Sequence, residues 1–251
     1  LYLFVSTAVA VTVAHLLAKK RPNAFWAQRL GPASIALLSL AWAALFVDWQ
    51  NGIHANHAAV FAPDRPIACL GDSLTSFGPK GGYPELLAQM VCFPVVNCGE
   101  PGITAGRAIR TSLPNALAAN PQAVVVELGE HEFLHGNRRE QAKENLERLI
   151  EACRTAGAEV ILMEMPRGYM FDPYRGLERE LARKHDLELI PDAVVRRLLL
   201  ASPTLPPGMW TNGPFLTESD GVHPNERGNE LLAQVVAAAL ERIYGPRIRR
   251  L

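Results

Sequence analysis

The sequence has no excess of charge of either sign. Its 251 residues include 25 lysines and arginines and 25 aspartates and glutamates, so the formal net charge at pH 7 is zero. Proteins that bind nucleic acid usually carry a basic patch or stripe that neutralises phosphates. The end of the chain, Arg247 to Arg250, is a small basic tail, and a solvated terminus accounts for it. The charge balance therefore excludes nucleic acid as an expected partner.

Cysteine is scarce, and its spacing does not favour a metal site. The chain has four cysteines, Cys69, Cys92, Cys98 and Cys153, all in or beside apolar runs. A structural zinc site needs closely spaced pairs of ligands, which these positions lack. We predict that they are small buried hydrophobic side chains. Cys69 and Cys98 would end neighbouring strands, so the sequence leaves a disulfide between them open.

Two stretches near the start lack charged side chains altogether. Residues 1–18 contain no Asp, Glu, Lys or Arg and one histidine, His15, and residues 33–47 contain none of these residues. A membrane-spanning helix takes about 20 apolar residues, which the first stretch approaches and the second reaches if its neighbours lie at the interfaces. The basic connector at 19–21 should be cytoplasmic by the positive-inside rule. We therefore predict a two-helix transmembrane anchor within residues 1–50, with the rest of the chain on the non-cytoplasmic side.

The same two stretches allow a second interpretation. Apolar stretches of this length also occur as buried helices packed on a soluble domain. The chain begins with Leu1 rather than Met, so a membrane anchor here can be truncated at its start.

After a linker at residues 51–63, short apolar runs alternate with helical patterns. With 49% hydrophobic residues, the chain can bury one substantial hydrophobic core and a second, smaller apolar part. Buried parallel strands appear as short apolar runs between helices. We predict a flavodoxin-like three-layer α/β/α sandwich over residues 64–247, with a parallel sheet of about five strands. The predicted strands are 66–70, 94–98, 123–128, 158–164 and 187–190, and the helical patterns are 83–92, 104–119, 138–156, 174–185, 192–200 and 225–244.

Two short motifs carry the chemistry. Gly71-Asp72-Ser73-Leu74 follows the first predicted strand, and Asp220-Gly-Val-His223-Pro224 precedes the last helix. A serine becomes a nucleophile when a histidine takes its proton, and a carboxylate must orient that histidine. A serine on a strand-to-helix turn lies at the carboxyl edge of the sheet, where open α/β folds bind ligands. These residue types predict a catalytic triad of Ser73, His223 and Asp220.

At this point the chain resembles the GDSL or SGNH hydrolases, over about residues 64–245. The resemblance rests on four ordered blocks, which are Gly71-Asp72-Ser73-Leu74-Thr75, Val96 to Gly102, Gly129-Glu130-His131-Glu132, and Asp220 to His223. It implies a serine esterase or lipase that needs no cofactor and no metal. It also implies an oxyanion hole built from the backbone N–H groups of Ser73 and Gly102 and an asparagine side chain of the third block.

The third block departs from the family pattern Gly-x-Asn-Asp. His131 stands at the asparagine position and Glu132 at the aspartate position. A neutral imidazole has one N–H that can be donated, although its reach differs from that of a carboxamide. Loss of an oxyanion donor typically costs about 10²–10³ in turnover. Two interpretations stay open, namely that His131 donates to the oxyanion or that it only packs beside the site.

The same stretch also satisfies a zinc-hydrolase pattern. His131-Glu132-Phe133-Leu134-His135 reads H-E-x-x-H, in which two histidines on one helical face bind zinc and the glutamate is the base. That motif requires the middle of a helix, whereas this one follows a strand-like run directly and is ended by Gly136. Zinc hydrolysis is therefore a minor alternative.

The sequence is least informative about the substrate. Residues 205–216 form a turn-rich segment before the last motif, and Trp210 or Phe215 would line a pocket there if the segment is not simply a surface loop. Ester groups on lipids or on cell-envelope glycans are the expected substrates. The same residues are also compatible with an acyltransferase that uses this triad and with a non-catalytic SGNH-like binding domain.

Overall fold

The computed structural model describes residues 51–78, 81–167, 172–199 and 223–250, together with Leu16 and residues 36–37, 39–45 and 47–48. The chain divides into two compact units, Leu1–Gln50 and Asn51–Leu251. Every strand named below lies in the second unit.

The prediction of two transmembrane helices is wrong for the part of the chain that the structure describes. Within that part, no helix combines the length and the apolarity that a bilayer crossing requires. A hydrocarbon core of about 30 Å takes about 20 residues of continuous apolar helix. A stretch that lacks charged side chains is not for that reason a continuous helix of about 20 residues. Most of residues 1–50 lie outside the described residues, and the non-cytoplasmic location inferred from the anchor stays a prediction.

The second unit is built on a five-stranded parallel sheet, which confirms that part of the predicted fold. Its strands follow the spatial order β2-β1-β3-β4-β5, and every pair is parallel. The chain therefore winds first to one side of β1 and then to the other, which creates a switch point between the carboxyl ends of β1 and β3. The strands are β1 Ile67–Gly71, β2 Val95–Asn97, β3 Ala123–Glu127, β4 Glu159–Met163 and β5 Glu188–Ile190.

The sheet buries a hydrophobic core on each face. Successive side chains of a strand point to opposite faces, so Ile67 and Cys69 enter one core while Ala68 and Leu70 enter the other. Both faces are covered, which explains why the strands are continuous apolar runs rather than alternating ones.

The helices differ from the predicted pattern at three places. The pattern at 104–119 contains Pro114, which cannot donate a backbone hydrogen bond inside a helix, and the structure has two short helices there. Single-turn helices also follow β1 and β3, and they are too short to show a hydrophobic period. The helices are α1 Ser73–Ser76, α2 Gly82–Met90, α3 Ala105–Ala108, α4 Ser112–Ala118, α5 Glu130–Leu134, α6 Arg139–Thr155, α7 Leu177–His185, α8 Asp192–Leu199 and α9 Glu226–Tyr244, with a 3₁₀ turn at Pro246–Ile248.

The segment before β1 is attached to the edge of the sheet. Ile53 forms an antiparallel bridge with Leu189 of β5. His57 lies between two carboxylates, with Nε2 2.8 Å from Glu159 and Nδ1 3.2 Å from Asp186. The hydrogen bond to Glu159 and then the one to Asp186 raise the pKa of His57. These contacts fasten residues predicted as a linker to the domain.

All four cysteines carry free thiols, and two of them, Cys69 and Cys153, are fully buried. Cys98 donates its backbone N–H to the Cys69 carbonyl at 2.8 Å, so the two residues lie on adjacent chain segments. Their thiols are nevertheless not joined, so the disulfide that the sequence left open is not formed.

Candidate active site

Ser73 opens helix α1 at the carboxyl end of β1, beside the switch point of the sheet. The preceding Asp72 caps this helix, because its side chain accepts the backbone N–H of Leu74 at 3.0 Å. Gly71 must be a glycine, since a Cβ there would lie 2.1 Å from Thr75 Oγ1 and 2.5 Å from Glu127 Oε2. The structure thus places the predicted nucleophile, half-buried, on a tightly packed strand-to-helix turn.

The loop that follows β2 is held against this turn by hydrogen bonds. Glu100 donates its backbone N–H to the Gly71 carbonyl at 3.0 Å. Asn97 donates from its side-chain amide to the Thr75 carbonyl at 3.2 Å. At the end of the loop Gly102 adopts a φ of 70°, which a glycine tolerates without strain. The predicted oxyanion residue Gly102 is therefore carried by a loop bonded to the serine turn.

His131 lies on α5, the single-turn helix at the carboxyl end of β3. Its Nε2 is 3.6 Å from Asp72 Oδ2, and its Cε1 is 3.9 Å from where a Cβ on Gly102 would stand. The structure therefore brings the serine turn, Gly102 and His131 together. Glu132, the other departure from the family pattern, is buried and accepts the backbone N–H of Ala105.

A buried ion pair between Arg167 and Glu178 packs against Gly129, the first residue of the third block. Arg167 donates to both carboxylate oxygens of Glu178, at 2.6 and 2.8 Å. Gly129, at a φ of 122°, packs so closely on this pair that a Cβ would stand 3.1 Å from the guanidinium and 3.2 Å from the carboxylate. The positive φ favours glycine here, and any side chain would also require Arg167 and Glu178 to shift by a few tenths of an ångström.

His223 lies immediately before helix α9 and packs on Phe77. The two rings meet edge to face, with their centroids 5.6 Å apart. Phe77 closes α1, since its backbone N–H donates to the Ser73 carbonyl at 3.0 Å. The structure therefore brings His223 to the helix that begins with Ser73. Three predicted site residues, Asp220, Trp210 and Phe215, lie outside the described residues.

Three carboxyl groups without a predicted role, those of Asp72, Glu127 and Glu130, surround the serine turn. Burial raises the pKa of Asp72, an effect that the Leu74 N–H and His131 oppose. Burial, reinforced by the Asp72 charge, raises the pKa of Glu130 to about 7 and the pKa of Glu127 well above its usual value. Burial thus disfavours the charged form at each of these three positions. A signal was available, since Glu127 is a charged residue in the otherwise apolar run 123–128.

The H-E-x-x-H interpretation does not fit the geometry. Helix α5 ends at Leu134, so the second histidine, His135, lies beyond it and is exposed. Glu132, the base in that interpretation, is directed at the backbone of Ala105. In the described part of the chain, the metal-capable side chains that cluster closely enough are Glu147, Glu151 and His185, a different group.

The doubly wound parallel sheet thus carries a serine turn at its switch point, where open α/β folds bind their ligands. The chain belongs to the GDSL-like lipase/acylhydrolase family, which it matches over residues 69–231. It is accordingly a hydrolase of carboxylic esters.

Relatives and solved structures agree with this assignment. The chain is 27% identical over 186 residues to thioesterase 1/protease 1/lysophospholipase L1 of Escherichia coli K12, covering 70% of this chain and 83% of that protein. It is 26% identical over 197 residues to an arylesterase of Vibrio mimicus, covering 73% and 92%. The fold matches the psychrotrophic esterase EstA of Pseudoalteromonas sp. with a TM-score of 0.58 at 21% identity, covering 71% and 98%. It matches the lipase/acylhydrolase of Enterococcus faecalis with a TM-score of 0.54 at 23% identity, covering 70% and 95%.

Proposed function

We propose that the protein hydrolyses carboxylic esters through an acyl-serine intermediate on Ser73. The observation that carries the proposal is the convergence of the Ser73 turn, Gly102 and His131 at the switch point, with His223 packed on the same helix through Phe77. Open α/β folds bind their ligands at this position.

In the proposed reaction, Ser73 Oγ attacks the ester carbonyl while His223 takes its proton. His223 then gives that proton to the departing alkoxide, which leaves an acyl group on Ser73. A water molecule activated by His223 hydrolyses this acyl-serine and restores the free enzyme. Asp220 would keep His223 in the correct tautomer and stabilise the imidazolium that forms.

The oxyanion would be stabilised by the backbone N–H groups of Ser73 and Gly102 and by the ring of His131. Preorganised donors of this kind usually provide the largest single contribution to such catalysis. His131 Nε2 lies 3.6 Å from Asp72 Oδ2, which is too long for a hydrogen bond, so the one N–H of a neutral imidazole is not committed to Asp72. His131 would thus replace the asparagine of the family pattern as a donor.

For the substrate we propose esters with an apolar acyl or aryl group. The names of the relatives include thioesterase, lysophospholipase and arylesterase activities, which act on such groups. In this chain Phe77 is 49% exposed although it packs on His223. Its free face would cover the apolar part of a bound ester beside the proposed base, and Trp210 and Phe215 stay predicted contributors to the same pocket.

Replacing Phe77 with alanine should reduce the preference for longer acyl chains. Each buried methylene is worth about 0.8 kcal/mol, so we expect kcat/KM for p-nitrophenyl octanoate to fall at least 10-fold while that for the acetate changes less than 3-fold. Val60→Ala, at a position that is 85% exposed and outside the site, is the matched control. Equal losses on both esters would show that Phe77 does not contact the acyl chain.

The proposed function is tested by labelling the purified protein with a fluorophosphonate probe, with and without a metal chelator. We expect chelator-insensitive labelling of the wild-type protein and none of Ser73→Ala, because only an activated serine attacks the probe. A folded wild-type protein that stays unlabelled would contradict the proposal and favour a binding domain. If the chelator abolished ester hydrolysis, that result would support the zinc-hydrolase alternative instead.

A further inference from the structure

Glu127 occupies an unusual position for an acidic residue. It is the last residue of the central strand β3, paired with Gly71 of β1, and its exposed fraction is 1%. Charged side chains are almost never fully buried without a specific role or partner. No cation contacts this carboxyl group among the salt bridges of the described residues. The proposed chemistry does not use it either.

The partners of Glu127 all belong to the serine turn. Its Oε2 accepts the backbone N–H of Asp72 at 3.1 Å and the hydroxyl of Thr75 at 3.0 Å. Asp72 precedes Ser73 by one residue and Thr75 follows it by two, so one oxygen atom holds both sides of the nucleophile. Thr75 Oγ1 is in turn 3.4 Å from the hydroxyl of the buried Tyr83, which anchors the same turn to α2.

The packing around this oxygen leaves little freedom. A Cβ on Gly71 would stand 2.5 Å from Glu127 Oε2, so the carboxyl group lies directly against the backbone that leads into Ser73. The other oxygen, Oε1, has no hydrogen-bond partner in the described structure. Both hydrogen bonds from the serine turn are accepted by one oxygen of the carboxyl group.

We propose that Glu127 is a positioning residue for the nucleophile, which fixes the turn of Ser73 by accepting hydrogen bonds from Asp72 and Thr75. Burial and the neighbouring Asp72 charge raise the pKa of Glu127, and an oxygen of this carboxyl group can accept both hydrogen bonds in either protonation state. The inference rests on the proposed function of Ser73 and adds a residue that the family blocks do not contain.

The test compares Glu127→Leu, Glu127→Gln and Thr75→Val in the full chain, using p-nitrophenyl acetate kinetics and the fluorophosphonate labelling rate. A misplaced reacting group costs on the order of 100-fold, so we expect that loss in kcat and in labelling for Glu127→Leu, with KM changed less than 3-fold. A carboxamide keeps an oxygen acceptor at this position, so Glu127→Gln should retain kcat within about 3-fold. Thr75→Val, which removes one of the two bonds, should lose about 10-fold.

Glu188→Leu is the matched control for general destabilisation. Glu188 is equally buried, at 1% exposed, but it lies on the edge strand β5 and binds His54 and Arg242 instead of the serine turn. We expect it to lower the melting temperature without changing kcat of the folded protein.

Several outcomes would overturn the inference. One is a folded Glu127→Leu protein that is labelled at the wild-type rate, and another is a Glu127→Gln protein as impaired as Glu127→Leu. If Glu127→Leu does not fold, an unchanged kcat in Thr75→Val has the same meaning. Absence of labelling in the wild-type protein would instead contradict the proposed function itself, so the two failures are distinguishable.

Discussion

Replacing His223 with alanine is expected to lower kcat for an aryl ester by about 10⁴–10⁶-fold, with little change in KM. Without the base, the Ser73 hydroxyl keeps its proton and is a poor nucleophile, while substrate binding does not depend on that proton. The ring of His223 contacts Phe77, which is partly exposed, so its loss should cost little stability. Steady-state kinetics with p-nitrophenyl acetate, together with a thermal melt of each variant, measure both effects.

Asp220→Asn completes this experiment, because the carboxylate acts only through the histidine. An asparagine cannot stabilise the imidazolium, so we expect a loss of about 10⁴-fold in kcat. The double variant with His223→Ala should be no slower than His223→Ala alone, since residues that act as a unit are not additive. Full activity of Asp220→Asn would show that another carboxylate orients the base, and full activity of His223→Ala would refute the proposed base.

Replacing His131 with alanine is expected to lower kcat by about 10²–10³-fold, the usual cost of one oxyanion donor. His131→Asn restores the family residue and should keep or raise the wild-type kcat, because a carboxamide N–H can donate from the same backbone position. In both variants KM should change little, since the oxyanion forms only in the transition state. Burst-phase and steady-state kinetics with p-nitrophenyl acetate provide the measurement.

His135→Ala is the matched control for the His131 series. His135 follows His131 by about one helical turn, and their ring centroids are 6.2 Å apart, but it is exposed. It should retain wild-type kcat. If His131→Asn lost as much as His131→Ala, the histidine would have a role of its own that a neutral donor cannot supply. If neither variant lost activity, His131 would only pack beside the site.

The sheet could be predicted because its strands are buried on both faces. Such strands are short continuous apolar runs between helices, and all five predicted runs overlap the observed strands. The predicted transmembrane anchor was wrong for the described residues, because lack of charge indicates low polarity but does not establish the length of a helix. The single-turn helices α1 and α5 are shorter than any hydrophobic period, although both begin at the catalytic blocks.

The candidate site likewise has one part that the sequence predicts and another part that only the tertiary structure shows. The sequence by itself determined the family and the residues that would carry the reaction, because a nucleophile turn and an acid–base loop are local patterns with a known chemistry. The tertiary structure alone decided which groups support them. Glu127 accepts a hydrogen bond from Asp72, which is 55 residues away in the sequence. The rings of Phe77 and His223 are in contact although the two residues lie near opposite ends of the domain's sequence. These contacts exist because parallel strands bring their carboxyl ends to one edge, and sequence spacing contains no measure of that proximity.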